Sequence, residues 1–191
     1  MATAQSRVGM VKDVLEFLSE YERGVDEYVL NTLEPAALEE IEGAARTGWV
    51  EMERLLDIDR ALLRYFGEEG FVAFWQAFAR RSAQTSLMAP LWNGLMRVFV
   101  GPAGIVKLMP RGLQLVARNV GDIHASVDDV EGTLTIDRVA ELSDPLLFGR
   151  ATAASLEGAL ELVSARGTAV ASYEPDSRRL TIRVRWAKMD S

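Results

Sequence analysis

The chain has 191 residues, 49% of them hydrophobic and 26% charged, with a formal net charge of −7, one histidine and no cysteine. That composition belongs to a folded globular chain. The missing cysteines exclude thiol nucleophiles, thiolate metal sites and disulfide scaffolds, and a single His124 excludes any site built on two histidines. The charge is uneven: residues 1–59 carry 14 acids against 5 bases, and the remainder 14 against 16. An acidic first third opposes contact with a phosphate backbone, so no nucleic-acid partner is expected.

In chain order, Ser6 to Glu22 reads as an amphipathic helix capped by Ser6, with Val8, Val11, Val14, Leu15 and Leu18 near helical spacing. No signal peptide precedes it, and a cytoplasmic location is expected. Asp26 to Leu33 forms a second short helix, and Pro35 begins a third that ends before Thr47-Gly48. Trp49 to Phe66 follows as two helical pieces, stopped by Gly67. Gly70 to Ser82 then sets Phe71, Phe74, Trp75 and Phe78 on one stripe. Leu87 to Val100 reads as a further helix. The apolar stretch Ser86 to Val106 is interrupted by Pro90, Asn93, Arg97 and Pro102, so it is no membrane span. A short segment runs to Met109, and Pro110 and Gly112 mark a transition.

From residue 121 the period changes to two. Ile123, Ala125 and Val127, then Leu134 and Ile136, define two half-buried strands. Asp144-Pro145 opens a helix to about Ala165 with Gly167 as its stop, and its small residues Gly149, Ala151, Ala154, Gly158 and Ala159 allow close approach to a sheet. Thr168 to Tyr173 and Arg179 to Trp186 complete the set, the last with Leu180, Ile182, Val184 and Trp186 on one face and Thr181, Arg183 and Arg185 on the other. The fold class is therefore α+β: an N-terminal helical layer followed by a β-β-α-β-β four-stranded antiparallel sheet, the last helix covering its apolar face.

No motif carries catalysis. Gly101 to Lys107 lacks the spacing of a phosphate-binding loop and follows a helix. His124 is expected on a strand's polar face, with Ser126 too far along the strand to be its nucleophile. The pairs Asp57/Asp59, Glu68/Glu69 and Asp128/Asp129 fall where helix ends and turns ordinarily hold acids. Neither a catalytic residue, a metal site nor a cofactor is expected. Aromatic and methionine residues between Trp49 and Met109 suit a close-packed core or, with the same residue types, a pocket for an apolar ligand. Phe74, Phe78, Trp92 and Met96 are the candidate lining residues.

The segment Phe148 to Ala165 (FGRATAASLEGALELVSA), followed by two strands ending Arg183-Val-Arg-Trp186, resembles the end of a myxobacterial paralogous domain of unknown function. Trp49-Val50, Phe66-Gly67-Glu68-Glu69 and Gly101-Pro102 to Pro110 match its pattern too. The likeness covers residues 45–187 and implies a helical extension over 1–44 and a sensor-like α+β domain over 45–191. The element order is also similar to a wider superfamily of haem-NO-binding domains, 4-vinyl-reductase-like sensors and TRAPP vesicle-tethering subunits. That resemblance implies a non-enzymatic regulatory or protein-interaction module, dimeric, with a second reading as a sensor that binds an apolar small molecule between helices and sheet. It also marks departures. Haem-binding relatives carry a proximal histidine on a helix, whereas His124 falls on a strand, and the cysteines of the other relatives are missing. A ligand is then held non-covalently.

Overall fold

The computed structural model describes residues 3–85 and 101–188. Strand β1 (Gln5–Arg7) leads into helices α1 (Val8–Tyr21), α2 (Val25–Thr32) and α3 (Pro35–Gly43), then β2 (Trp49–Glu51) and α4 (Met52–Thr85). After it come α5 (Pro102–Val116), β3 (Ala117–Arg118), β4 (Asp122–Val127), β5 (Glu131–Asp137), α6 (Pro145–Glu161), β6 (Ala165–Glu174) and β7 (Arg179–Lys188).

The second half forms the expected four-stranded antiparallel sheet, in the order β4-β5-β7-β6. Register places Leu134 opposite Ile182 and Ile136 opposite Leu180. These residues and Val184 are buried on the inner face, while Thr133, Thr135, Arg183 and Arg185 point outward. Alternation along each strand thus produces one apolar and one wet face. Two helices, rather than one, cover the apolar face: α6 lies on β6 and β7, and α5 on β4 and β5. At Gly132 a Cβ would come within 2.9 Å of the Val106 side chain, which shows how tightly α5 sits on β5.

Helix α6 is buried on both sides. A Cβ at Gly149 would meet Leu180 and Ala171 of the sheet, as the small-residue pattern led us to expect. A Cβ at Gly158 would instead meet the backbone of Gln76 in α4, at 2.3 Å from its carbonyl oxygen. The two glycines are nine residues apart, half a turn out of phase at 3.6 residues per turn. So Gly158 serves contact with α4 and not with the sheet, a correction to the sequence reading. Asp144 caps the helix, its Oδ1 accepting from the Leu147 amide at 2.8 Å.

Further differences lie at element ends. Ser6 does not cap α1: it is buried in β1, and its hydroxyl donates to the Val116 carbonyl at 3.5 Å. Strands β1, β2 and β3 make a small second sheet in the order β2-β1-β3, which the sequence reading lacks because three-residue strands are too short to show a period. Trp49 is held on this sheet between the guanidinium groups of Arg7 and Arg118, 4.3 and 4.5 Å from its ring. Pro110 lies inside α5 rather than ending it. Helix α6 stops at Glu161, and the turn passes through Ser164 at φ 53°, so Gly167 belongs to β6 and not to a helix stop. Gly67, at φ 69°, stops the helical run before it as expected, but Trp49 to Phe66 is not two helical pieces: Trp49–Glu51 pairs with β1 as β2, and Met52 to Phe66 is one continuous piece. The helix expected over Leu87 to Val100 lies outside the described residues.

One contiguous apolar core runs through these elements. It includes Val8, Val11, Leu18, Val25 and Ile41 from the first 44 residues together with Leu134, Leu156 and Val184 from the last 60 or so.

Candidate functional site

A cavity of about 150 Å³ opens where β1 and α1 meet α4, α5 and α6. Each element contributes the side it turns inward. Ser6 comes from β1, and Met10 and Asp13 from α1. Met52, Leu55, Asp59, Trp75, Phe78, Ala79 and Ser82 come from both pieces of α4. Helix α5 adds Met109, Gly112, Leu113 and Val116, and α6 adds Phe148, Ala151, Thr152, Ser155 and Ala159. The four-stranded sheet contributes no lining residue among those described, because α6 stands between it and the cavity. The expected position between helices and sheet is therefore corrected to one among the helices and the small sheet.

The wall is mainly apolar and thioether, but it carries two carboxyls. Asp59 is 1% exposed. Its Oδ1 accepts a hydrogen bond from Trp75 Nε1 at 3.0 Å, and its Oδ2 is buried with no hydrogen-bond partner among the described residues. Burial holds the Asp59 carboxyl well above the ordinary carboxylate range, against the opposing pull of the Trp75 hydrogen bond and of Arg60, with Asp144 adding to the rise. Asp13 is less deeply set and is paired with Arg46, which also holds Glu16 at 2.7 Å. Burial raises the Asp13 carboxyl too, outweighing Arg46.

Two of the lining hydroxyls are used internally. Ser6 donates to the Val116 carbonyl, and Thr152 Oγ1 to the Phe148 carbonyl at 2.8 Å. These bonds fix β1 against α5 and tie Thr152 to its own helix, so they shape the wall.

Of the residues expected to line a pocket, Phe78 does so. Phe74 lies behind the wall, in an aromatic group where its ring sits 5.2 Å from Tyr21, 5.4 Å from Phe17 and 5.7 Å from Trp75. Trp92 and Met96 lie outside the described residues. His124 is exposed on β4 and remote from the cavity lining, in keeping with its expected place on a polar strand face.

Asp59 was passed over in the sequence as an acid near a helix end. It stands instead within α4, on the stripe formed by Met52, Leu55, Leu56 and Leu62. An acid at helical spacing within an apolar stripe is the signal that identifies it. Its partner Trp75 lies beyond the Gly67 break, and no local pattern joins the two.

No family model matches the chain, and no curated protein matches it. Solved structures do. The fold is similar to that of a point mutant of the Fe(II) unliganded H-NOX protein from K. algicida, with TM-score 0.63 and 8% identity over 96% of this chain and 97% of that one. It is also similar to a T. Tengcongensis H-NOX mutant, with TM-score 0.60 and 11% identity over 95% and 98%. A Cs H-NOX variant matches with TM-score 0.59 and 13% identity over 97% and 99%. The molecule therefore has an H-NOX-like α+β fold along nearly its whole length. The myxobacterial, vinyl-reductase-like and tethering-subunit limbs of the resemblance rest on sequence pattern alone.

Proposed function

We propose that the protein is a non-enzymatic ligand sensor that has kept the H-NOX-like fold and binds a small, largely apolar molecule without haem. The observation that carries this reading is the cavity, in a fold whose solved neighbours are haem-associated H-NOX domains.

Haem itself does not fit the residues present. Protein haem iron is held by histidine, a cysteine thiolate, tyrosine, or methionine paired with histidine. The chain has no cysteine, its one histidine is exposed on β4, and no tyrosine lines the cavity among the described residues. Residues 86–100 contain neither histidine nor tyrosine. No lysine or arginine on the wall, among the described residues, offers a partner to the propionates of a porphyrin. The volume is small besides: pockets for drug-sized ligands run to roughly 300–1,000 Å³, whereas an apolar cavity of about 150 Å³ takes up one benzene ring.

Output through a second copy of the chain or another protein belongs to the same reading and draws its support from the resemblance. Thermal denaturation tests the cavity. Saturating toluene should raise Tm by about 5–10 °C, while haemin should leave Tm unchanged and give no ligated-haem absorption. Ala151→Leu, which grows into the cavity, should fold at least as stably and lose the response to toluene. A ligand-insensitive wild type would end the sensor reading. Native mass spectrometry on the same sample reads whether ligand changes the oligomeric state.

A further inference from the structure

We propose that the cavity is a site for a small protonated amine whose ammonium donates to Oδ2 of Asp59 while its hydrocarbon part packs among Met52, Leu55, Phe78 and Ala151. This deepens the reading of the cavity as a sensor site and rests on it.

One acceptor on the cavity wall is left over. Asp59 is 1% exposed, one oxygen is committed to Trp75 Nε1, and the other has no donor among the described residues. Buried polar atoms are nearly always satisfied, and a carboxyl oxygen without a donor on the wall of a cavity marks where a ligand's donor belongs. The remaining polar groups narrow the choice. Asp13 is already paired with Arg46, and the hydroxyls of Ser6 and Thr152 donate to backbone carbonyls. No lysine or arginine lines the cavity among the described residues, so an anionic ligand would meet Asp59 with no cation on the wall beside it. A volume of about 150 Å³ limits the hydrocarbon part to one ring or a short chain.

Charge favours an amine over a neutral donor. A hydrogen bond between ionised partners is roughly twice as strong as a neutral one, and in a desolvated wall a carboxylate is stable only beside a counter-charge. In the ligand-free protein burial pushes the Asp59 carboxyl up and so works against the ionised form. Arg60 beside it pulls toward ionisation, Asp144 pulls the other way, and from α1 Asp13 faces the same cavity. An ammonium beside Oδ2 supplies the counter-charge that offsets this burial, and the carboxylate–ammonium ion pair forms there.

Isothermal titration calorimetry on the full chain at neutral pH tests this with benzylamine and toluene, molecules of one shape that differ by the amine. Benzylamine should bind about tenfold or more tighter than toluene. In Asp59→Asn the amide oxygen keeps the Trp75 hydrogen bond, so toluene should bind as before while the preference for benzylamine disappears. If wild-type protein binds toluene as tightly as benzylamine, the amine assignment is wrong, Asp59 Oδ2 is served by water, and the apolar cavity stands. If it binds neither, the sensor reading goes as well. Should Asp59→Asn fail to fold, the wild-type affinity ratio decides alone.

Discussion

At the scale of single residues, the molecule turns on Asp59. A carboxyl whose folded-state pKa lies above its unfolded value of about 3.8 holds its proton in the native state over a range where the unfolded chain has lost it. The native state then binds more protons, so stability falls as pH rises from about 4 toward the folded pKa, and the full penalty is present above it. At lower pH the carboxyl is neutral in both states and the penalty is gone. Asparagine has no proton to lose. The Tm of Asp59→Asn relative to wild type should therefore rise as pH increases from about 4 and level off above the folded pKa, measured by thermal denaturation. A constant difference would show that the Asp59 carboxyl is not raised in the native state. The position was legible as an acid on an apolar stripe, but its meaning was not, because Trp75 is brought to it by the break at Gly67 and not by any local spacing.

Among elements, α4 and α6 cross with a close backbone approach at Gly158. The small residues of α6 were readable from Phe148 to Ala165, and the sequence could say that something approached them closely. It could not say what, because a helix with small residues all round can be buried on any side. Gly149 faces Leu180, whose methyl is the end of a movable side chain, and Gly158 faces the Gln76 backbone, which cannot move without shifting α4. Alanine at the two positions should separate these cases. Gly158→Ala should cost about 1–3 kcal/mol in urea denaturation, through overpacking against backbone. Gly149→Ala should cost clearly less, since Leu180 can change rotamer and alanine favours the helix by about 1 kcal/mol. The cavity wall includes residues of both helices, so Gly158→Ala should also weaken toluene binding, through a shift of α4 relative to Ala151 and Ala159.

For the whole molecule, the two halves share one core. Strand β1 is the centre of the small sheet, with β2 on one side and β3, some 110 residues later, on the other. Helix α1 places Phe17 against Phe74 and Phe78, and Val8, Val11 and Val14 are wholly buried. Removing residues 1–44 would uncover this surface and strip Met10, Asp13 and Ser6 from the cavity. The truncated chain should show no cooperative thermal transition, whereas the full chain should unfold in a single one. A truncated chain that melts sharply would mark residues 1–44 as an extension separable from the rest.

The α+β class, the four strands of the main sheet, most of the helices, the break at Gly67 and the outward position of His124 were all legible along the chain. Each of these rests on a local cause: a period of 2 or 3.6, a proline or glycine at a boundary, or a polar face set by alternation. Tertiary structure alone decided that three short strands join the chain's beginning to its middle, that Gly158 touches a helix backbone, and that Asp59 and Trp75 meet on the wall of a cavity. These depend on residues distant in sequence arriving at one place, and on volume left between side chains, which no spacing along the chain records.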